Sequence, residues 1–188
     1  MIDEQVRAAM VKWPDVPAVF GWLRLDRRGQ WWLIDRGRPD FDERLHGLGS
    51  PITSPPILDF IGRNYEHDDS GRWYLQNGPQ RVFVDLDLAP LILRVIGEGR
   101  GASLVTHTGW RIEHVIAVSM TADGVVCVDT AMGPGAIHDL DLGALDFDED
   151  AQAGPDHAGG VWLAGQRHPI ELRDPQPASA FVARPRAD

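Results

Sequence analysis

Cysteine is nearly absent from this sequence, which has one, Cys127, and therefore no disulfide within the chain. Cys127 stands in the apolar run Val-Val-Cys-Val-Asp, where a small thiol packs like a hydrophobic side chain. A nucleophilic thiol needs a nearby base and an electropositive pocket, and the sequence around Cys127 offers neither. We expect a cysteine of the core.

The motifs of the common cofactor and metal sites are also missing. There is no GxxxxGK(S/T) loop, no GxGxxG between a strand and a helix, no GxSxG, no HExxH and no CxxC. Asp139, Asp141 and Asp150 match positions 1, 3 and 12 of an EF-hand calcium loop, but Ala144 stands where glycine is required. We therefore expect no metal and no cofactor, and we assign no catalytic residue.

Positive charge is scarce, because 18 basic side chains face 28 acidic ones and the formal net charge is -10. This charge opposes binding to nucleic acid or to an anionic membrane surface. No apolar run approaches the roughly 20 residues of a membrane-spanning helix. The opening MIDEQVRAAMVKW is amphipathic and carries acids, which is not typical of a signal peptide. We expect a soluble cytoplasmic protein that binds neither nucleic acid nor membrane.

Two short helices are predicted, both in the first half. Residues 3–13 place Val6, Met10 and Trp13 at helical spacing behind Asp3 as N-cap. In SPPILDFIGRNY, residues 54–65, Ser54 is a suitable N-cap and two prolines fill the first turn. Asn64 is a candidate for a left-handed cap at the end of this second helix.

The stretch GRWYLQNGPQRVFVDLDLAP, residues 71–90, predicts a β-hairpin. Asn77-Gly78 is a strong turn signal. After it, the aliphatic residues Val82, Val84 and Leu86 alternate with Arg81, Phe83 and Asp85, as in a strand with two unlike faces. A two-residue loop at Asn77-Gly78 would place Trp73 opposite Val82 and Tyr74 opposite Arg81. Pro79 cannot donate to a ladder, which favours an edge position or a slightly longer loop.

A boundary and an internal repeat organise the chain. GEGRG, residues 97–101, has no apolar residue and predicts a division into residues 1–96 and residues 101–188. WYLQNGPQRVFVDLDLAPLILRV resembles VWLAGQRHPIELRDPQPASAFVAR, and QWWLID occupies a place like that of VVCVDT. We expect an α+β fold of two related hairpin-rich lobes with mainly antiparallel sheets and one or two short helices, the second lobe having lost or shortened its helix.

Three segments carry a resemblance to known families: GQWWLIDRG, GSPITSPPILDFIGRNY and DSGRWYLQNGPQRVFVDLDLAP. Over roughly residues 20–95 the chain resembles a group of uncharacterised proteobacterial families of unknown function. The resemblance implies a two-lobed α+β protein with repeated motifs, and ligand binding or signalling rather than catalysis. The relatives often carry Thr-Pro-x-Glu-Lys after the glycine turn, so Arg81 takes the place of their basic residue.

The first hypothesis is therefore a non-enzymatic protein that binds a small molecule or a protein partner, with a role in signalling. Its candidate ligand-binding residues are Arg63, Asn64, Tyr65, Tyr74 and Arg81, where arginines attract a carboxylate or phosphate and aromatic rings supply contact area. Cross-strand packing of a small sheet explains the same aromatic residues without a ligand.

Two other classes of function stay open. One is a small cytoplasmic hydrolase or isomerase with a His/Asp acid–base pair between the lobes, for which His107 and His114 are the candidates. The other is a subunit of a homo-oligomer, in which exposed members of the seven tryptophans form the interface between copies.

Overall fold

A computed structural model describes residues 3–149, 157–173 and 181–187. The elements are α1 (Glu4–Lys12), β1 (Val19–Leu25), β2 (Trp31–Leu33), α2 (Glu43–His46), β3 (Ser50–Pro51), α3 (Pro55–Arg63), β4 (Tyr65–His67), β5 (Trp73–Asn77), β6 (Gln80–Leu86), β7 (Leu91–Ile96), β8 (Ser103–Thr106), β9 (Arg111–Ile112), β10 (Val115–Thr121), β11 (Val126–Thr130), β12 (Gly133–Ile137), β13 (Asp146–Asp148), β14 (His157–Leu163) and β15 (Gln166–Arg173), with 3-10 turns at Gly99–Gly101 and Asp139–Ala144.

The fold is mainly β rather than α+β, with short helices and two mixed sheets. Antiparallel pairs predominate among the described strands, as predicted, but three pairs are parallel. β1 runs parallel to β6, β10 runs parallel to β15, and β12 runs parallel to β7. The sequence predicted the hairpins, which are local, but parallel pairs join strands far apart in the chain and leave no local signal. None of the helices in the described residues is long and apolar enough to cross a membrane.

The chain divides into two compact units. Unit 1 comprises Met1–Leu88 and Phe181–Asp188, and unit 2 comprises Ala89–Ala180. The division precedes the GEGRG segment because β7 pairs with β12 and β8 in the second sheet. Residues 181–187 belong to unit 1 because Val182 and Ala183 hydrogen-bond to Gly71 and Leu86.

Unit 1 is built on a six-stranded sheet of order β3-β2-β1-β6-β5-β4. Leu25, Trp31, Val84 and Ile61 are each at most 3% exposed and form part of its core. The register of β1 against β6 shifts between Val19 and Leu23. Gly21 lies at this shift with φ +72°, a conformation that favours glycine, and its carbonyl accepts a 2.7 Å hydrogen bond from Arg36 Nε.

The β5–β6 hairpin forms, but its turn is one residue further along than the predicted Asn77-Gly78 loop. Asn77 pairs with Gln80, so Gly78 and Pro79 form the turn, and Tyr74 lies opposite Phe83. Gly78 has φ +57° and the proline ring fixes φ near −65°, which fits a type II′ turn. Pro79 has no N–H group to donate to a hydrogen bond between strands, and its place in the turn leaves the paired residues of β5 and β6 without a proline.

The two predicted helices are present, and their ends differ from prediction. Asp3 and Ser54 occupy the N-cap positions of α1 and α3 without a side-chain capping bond. Pro55 and Pro56 fill the first turn of α3 as expected. Asn64 ends α3 with φ -121°, so the left-handed cap predicted there is wrong.

Unit 2 contains a nine-stranded sheet of order β13-β14-β15-β10-β11-β12-β7-β8-β9. Ile92, Leu93, Val128 and Val161 are fully buried in it. The acidic segment at 139–148 forms a 3-10 turn followed by β13, and Asp141 pairs with Arg94 at 2.6 Å. Asp150, the last residue of the EF-hand comparison, lies outside the described residues.

Candidate functional site

An aromatic pair marks one face of the first sheet. Tyr74 and Phe83 lie opposite each other on β5 and β6, with ring centroids 5.6 Å apart. Phe20 stacks on Phe83 at 4.7 Å with nearly parallel rings. Tyr74 and Phe83 are only 5% and 3% exposed, so these rings pack together and offer little contact area to a ligand.

Two arginines lie over this aromatic pair. The Arg81 guanidinium is 4.6 Å from the centroid of the Tyr74 ring, and that of Arg72 is 5.1 Å from the centroid of the Phe83 ring. Arg72 also pairs with Asp68 at 2.8 Å. Arg81 is exposed, and no acidic partner of it is found within the described residues. We call Phe20, Arg72, Tyr74, Arg81 and Phe83 the aromatic–arginine cluster.

The Tyr74 phenol stays protonated near neutral pH. Burial raises the pKa of Tyr74, and the nearby carboxylates Glu66 and Asp68 raise it further, while the Arg81 charge acts in the opposite direction. An ionised phenolate would be a strong partner for Arg81, whereas a neutral ring offers only its π face. Tyr74 therefore positions the guanidinium and leaves its N–H donors available.

Asn64 and Arg63 lie where α3 meets α1, and both contact Asp3. Asn64 is fully buried. Its Oδ1 accepts from the Asp3 backbone at 2.9 Å, and its Nδ2 donates to the Phe60 carbonyl at 2.9 Å. Arg63 pairs with the Asp3 carboxylate at 3.2 Å. These contacts give both residues a structural role at the helix junction.

Tyr65 lies on the opposite face of the sheet from Tyr74. It pairs with Leu75, the neighbour of Tyr74, and adjacent residues of a strand point to opposite faces. Its ring contacts Trp31 at 5.1 Å and Trp73 at 4.8 Å, and burial raises its pKa well above the usual value. The structure thus brings together Tyr74 and Arg81 but separates them from Tyr65.

The two candidate histidines of the enzyme hypothesis lie in different settings. His107 Nδ1 accepts a 3.2 Å hydrogen bond from the Ile92 backbone, and burial lowers its pKa to about 4. His114 is exposed, between β9 and β10. No contact between the two is found in the part of the chain that the structure describes.

Unit 2 contains a small recess that the sequence did not reveal. Its volume is about 30 Å³, room for about one water molecule. Its lining comprises Ser103, Leu104, Ile112, Glu113, Val115, Leu163, Ala164, Gln166 and His168. Desolvation lowers the pKa of His168. Glu113 and His168 are 55 positions apart and carry no shared motif, so only the folded sheet brings them to one recess.

Metal and thiol chemistry find no support in the described residues. Within 3–149, 157–173 and 181–187, no group of three or more His, Cys, Asp or Glu side chains is placed to hold a metal ion. Cys127 is half-buried, and burial, with the nearby charges of Asp129 and Asp123, raises its pKa. Such a thiol is protonated at neutral pH and a poor nucleophile.

Comparisons with known proteins identify relatives of unknown function. The family model DUF2944, whose description reads "Protein of unknown function (DUF2946)", matches residues 2–184. No curated protein matches the chain. The resemblance to uncharacterised families of unknown function is thereby confirmed.

Two crystal structures are similar to this chain. One is a DUF1285 family protein from Silicibacter pomeroyi, with 20% identity, a TM-score of 0.50 and coverage of 82% of this chain and 81% of that chain. The other is a DUF1285 family protein from Shewanella baltica, with 16% identity, a TM-score of 0.44 and coverage of 63% and 85% respectively. The first similarity concerns the fold alone.

Proposed function

Because this chain belongs to a protein family of unknown function, we propose from its own contacts that it is a non-catalytic binding protein whose ligand carries a carboxylate or phosphate group. The ligand contacts Arg81 on the aromatic–arginine cluster. The protein binds this ligand without converting it, as expected of a component of a signalling pathway. A single cysteine suits the reducing environment of the cytoplasm.

The observation that carries this proposal is the position of Arg81. Eleven other arginines lie within 4.0 Å of a carboxylate. Arg81 instead rests its guanidinium plane on the buried Tyr74 ring, and its edge carries donors in a fork that matches a carboxylate or phosphate. The Arg81 guanidinium is held on the Tyr74 ring and has no carboxylate partner among the described residues. It therefore loses little conformational entropy when an anion binds.

The proposal rests on two of the five candidate ligand contacts, because the other three already have partners. Arg63, Asn64 and Tyr65 satisfy their polar or aromatic groups within unit 1. We retain Arg81 as the ligand-binding residue and Tyr74 as the residue that positions it.

We also propose that the two units are copies of one hairpin-rich motif. In support, the order β3-β2-β1-β6-β5-β4 of the first sheet recurs as β12-β11-β10-β15-β14-β13 in the second. In both, the two central strands are parallel, and a helical segment lies between the two outermost strands in sequence: α3 in unit 1 and the 3-10 turn 139–144 in unit 2.

The pairing registers support the same relation. Leu23 pairs with Leu33 and Val84, and Val118 pairs with Val128 and Ile170. QWWLID and VVCVDT therefore align residue by residue, since Leu33 and Val128 are the fourth residue of each segment. The shorter helical turn of unit 2 fits the expected loss of a helix.

The experiment is native mass spectrometry of gently purified protein, followed by the same measurement on Arg81→Ala. We expect the wild type to show mass above 20.8 kDa that disappears on denaturation, because a bound anion should be retained. Arg81→Ala should lose this mass and keep the wild-type melting temperature, since Arg81 is exposed. Arg111→Ala, a change at an exposed arginine in β9, is the matched control and should retain the ligand.

Three outcomes bear on the alternatives. Equal ligand retention by Arg81→Ala and wild type would overturn the assignment to Arg81. Hydrolysis of an ester panel that is lost in His168→Gln would favour an enzyme using the recess of unit 2, where Glu113 and His168 both line the wall. A dimeric mass that dissociates on dilution would support the assembly hypothesis.

A further inference from the structure

Residues 181–187 are bonded to the β5–β6 region of unit 1 by main-chain hydrogen bonds and ion pairs, as a bound peptide would be. We call these residues the docked segment. The Leu86 backbone donates a 2.8 Å hydrogen bond to the Ala183 carbonyl, and the Val182 backbone donates a 2.9 Å hydrogen bond to the Gly71 carbonyl. The segment thus bonds to Leu86, the last residue of β6, and to Gly71, which precedes β5 in the chain.

The hairpin is open at the point where the segment enters. Tyr74 pairs with Phe83, so continuation of the same register would place Gly71 opposite Leu86. The pairing of β5 with β6 ends at Tyr74 and Phe83, and Gly71 and Leu86 each bond to the docked segment instead. Main-chain bonding of a peptide segment to an open sheet edge is a general mode of peptide recognition.

Two aspartates form ion pairs with arginine side chains of the docked segment. Arg184 Nη2 lies 2.8 Å from Asp87 Oδ1, and Arg186 Nη1 lies 2.9 Å from Asp85 Oδ1. Pro185, between the two arginines, is buried. The Asp85 side chain is only 9% exposed, and a carboxylate so shielded from water needs a cationic partner.

Asp87 is shared with a second arginine. Arg24 Nε lies 3.1 Å from Asp87 Oδ2 and remains in the site when the docked segment leaves. Two carboxylates and one guanidinium then give the site a net negative charge. The site, which we call the Arg-Pro-Arg slot, comprises Gly71, Asp85, Leu86 and Asp87.

We propose that the Arg-Pro-Arg slot is a recognition site for protein segments in which two arginines flank a proline, and that the docked segment closes it in cis. A partner segment must displace a tethered competitor, whose effective concentration is on the order of millimolar. This inference is independent of the proposed function, because it uses neither Arg81 nor Tyr74.

The test uses a fluorescent peptide of sequence Phe-Val-Ala-Arg-Pro-Arg-Ala-Asp and fluorescence anisotropy. The full chain is compared with the combined variant Val182→Pro, Arg184→Ala and Arg186→Ala, which removes one backbone donor and both ion pairs of the docked segment. We expect the variant to bind the peptide at least about tenfold more tightly than the wild type.

Two controls define the chemistry of the slot. Addition of Asp85→Asn and Asp87→Asn to the combined variant should abolish binding of the peptide. A peptide with glutamate at both arginine positions should not bind any of the proteins. Equal affinity of wild type and combined variant, no binding by a cooperatively melting variant, or binding of the glutamate peptide would each overturn the proposal.

A measurement on the wild type covers the case in which the combined variant does not fold. Raising the salt concentration from about 0.05 M to about 0.5 M should accelerate hydrogen exchange at the Leu86 and Val182 amides several-fold, because salt screens the ion pairs that hold the docked segment. The Gln76 amide, which bonds to the Asn64 carbonyl at 2.8 Å, should be unaffected. Exchange at Leu86 and Val182 that does not respond to salt would contradict a segment held by Asp85 and Asp87.

Discussion

At the scale of single residues, burial decides which polar side chains remain available to a ligand. Asn64 and Arg81 are both polar residues near strand or helix ends. The side-chain donors and acceptor of Asn64 are bonded to Asp3 and Phe60, whereas the Arg81 guanidinium lies over the Tyr74 ring. Asn64 therefore stabilises the helix junction, and Arg81 is the residue that we propose for recognition.

His107 predicts a specific dependence of stability on pH. Its pKa is about 4 in the folded protein, because burial disfavours the charged form, against 6.5 for a free side chain. The unfolded chain binds the proton more tightly, so the contribution of neutral His107 is complete above pH 6.5 and is lost as the pH falls from 6.5 toward 4. Between pH 7 and pH 5 the wild type should lose about 1–2 kcal/mol more than His107→Gln.

The measurement is urea unfolding of both proteins at the two pH values. Glutamine can still accept the hydrogen bond from the Ile92 backbone, so the comparison isolates the proton. His114→Gln, at an exposed histidine, should keep the wild-type pH dependence. Identical losses in wild type and His107→Gln would show that His107 is not shielded from water.

At the scale of elements, strand β6 presents its odd-numbered residues on one face. Arg81, Phe83 and Asp85 lie at alternate positions, and alternate residues of a strand share a face. Arg81, which attracts anions, lies near the start of this strand, and Asp85, which attracts cations, lies near its end. One short hairpin carries both proposed recognition sites.

Close packing of the parallel pair β7–β12 predicts a strong effect of a single methyl group. A Cβ added at Gly135 would lie 2.9 Å from Leu93 Cγ and 3.0 Å from the Leu91 carbonyl oxygen. Gly135→Ala should lower the free energy of unfolding by about 1–3 kcal/mol, because buried backbone and side chain must both shift. Urea unfolding followed by tryptophan fluorescence measures this loss.

Gly143→Ala is the matched control for Gly135→Ala. Gly143 lies in the 3-10 turn 139–144, and an added Cβ there meets nothing within 4 Å. We expect a change within about 0.5 kcal/mol. Equal effects at the two glycines would show that β7 and β12 are not packed closely.

At the scale of the whole molecule, charge restricts the class of partner. The net charge is -10, and eleven arginines are already paired with carboxylates. We expect no shift of duplex DNA or structured RNA in gel electrophoresis, even at about 50 mM salt, where attraction between charges is weakly screened. A shift that weakens steeply with salt would reveal a basic surface and contradict this expectation.

The exposed tryptophans bear on assembly at the same scale. Trp13 and Trp110 are 51% and 44% exposed, whereas Trp31 and Trp73 are at most 4% exposed. An interface built on tryptophan would therefore use the first two. The homo-oligomer remains a prediction that the mass spectrum addresses.

The local structure of this protein follows from the order of residues along the chain. Helical spacing predicted α1 and α3, and Asn77-Gly78 with the alternating residues after it predicted the β5–β6 hairpin, since these signals depend on neighbours in the chain. The hairpin register was wrong by two residues because Pro79 entered the turn. A shift of two preserves the face of every side chain, so Arg81 still shares a face with Tyr74, and its guanidinium lies 4.6 Å from the centroid of that ring.

Which distant segments meet depends on the packing of the folded chain. No tight turn joins the strands of the parallel pairs β1–β6, β10–β15 and β12–β7, so the sequence carries no local signal of their pairing. The arrival of residues 181–187 between Gly71 and Leu86 joins positions about a hundred residues apart, and pairing of Asp85 with Arg186 follows from it. Such contacts depend on burial and long-range charge pairing in the folded chain, which no local pattern encodes.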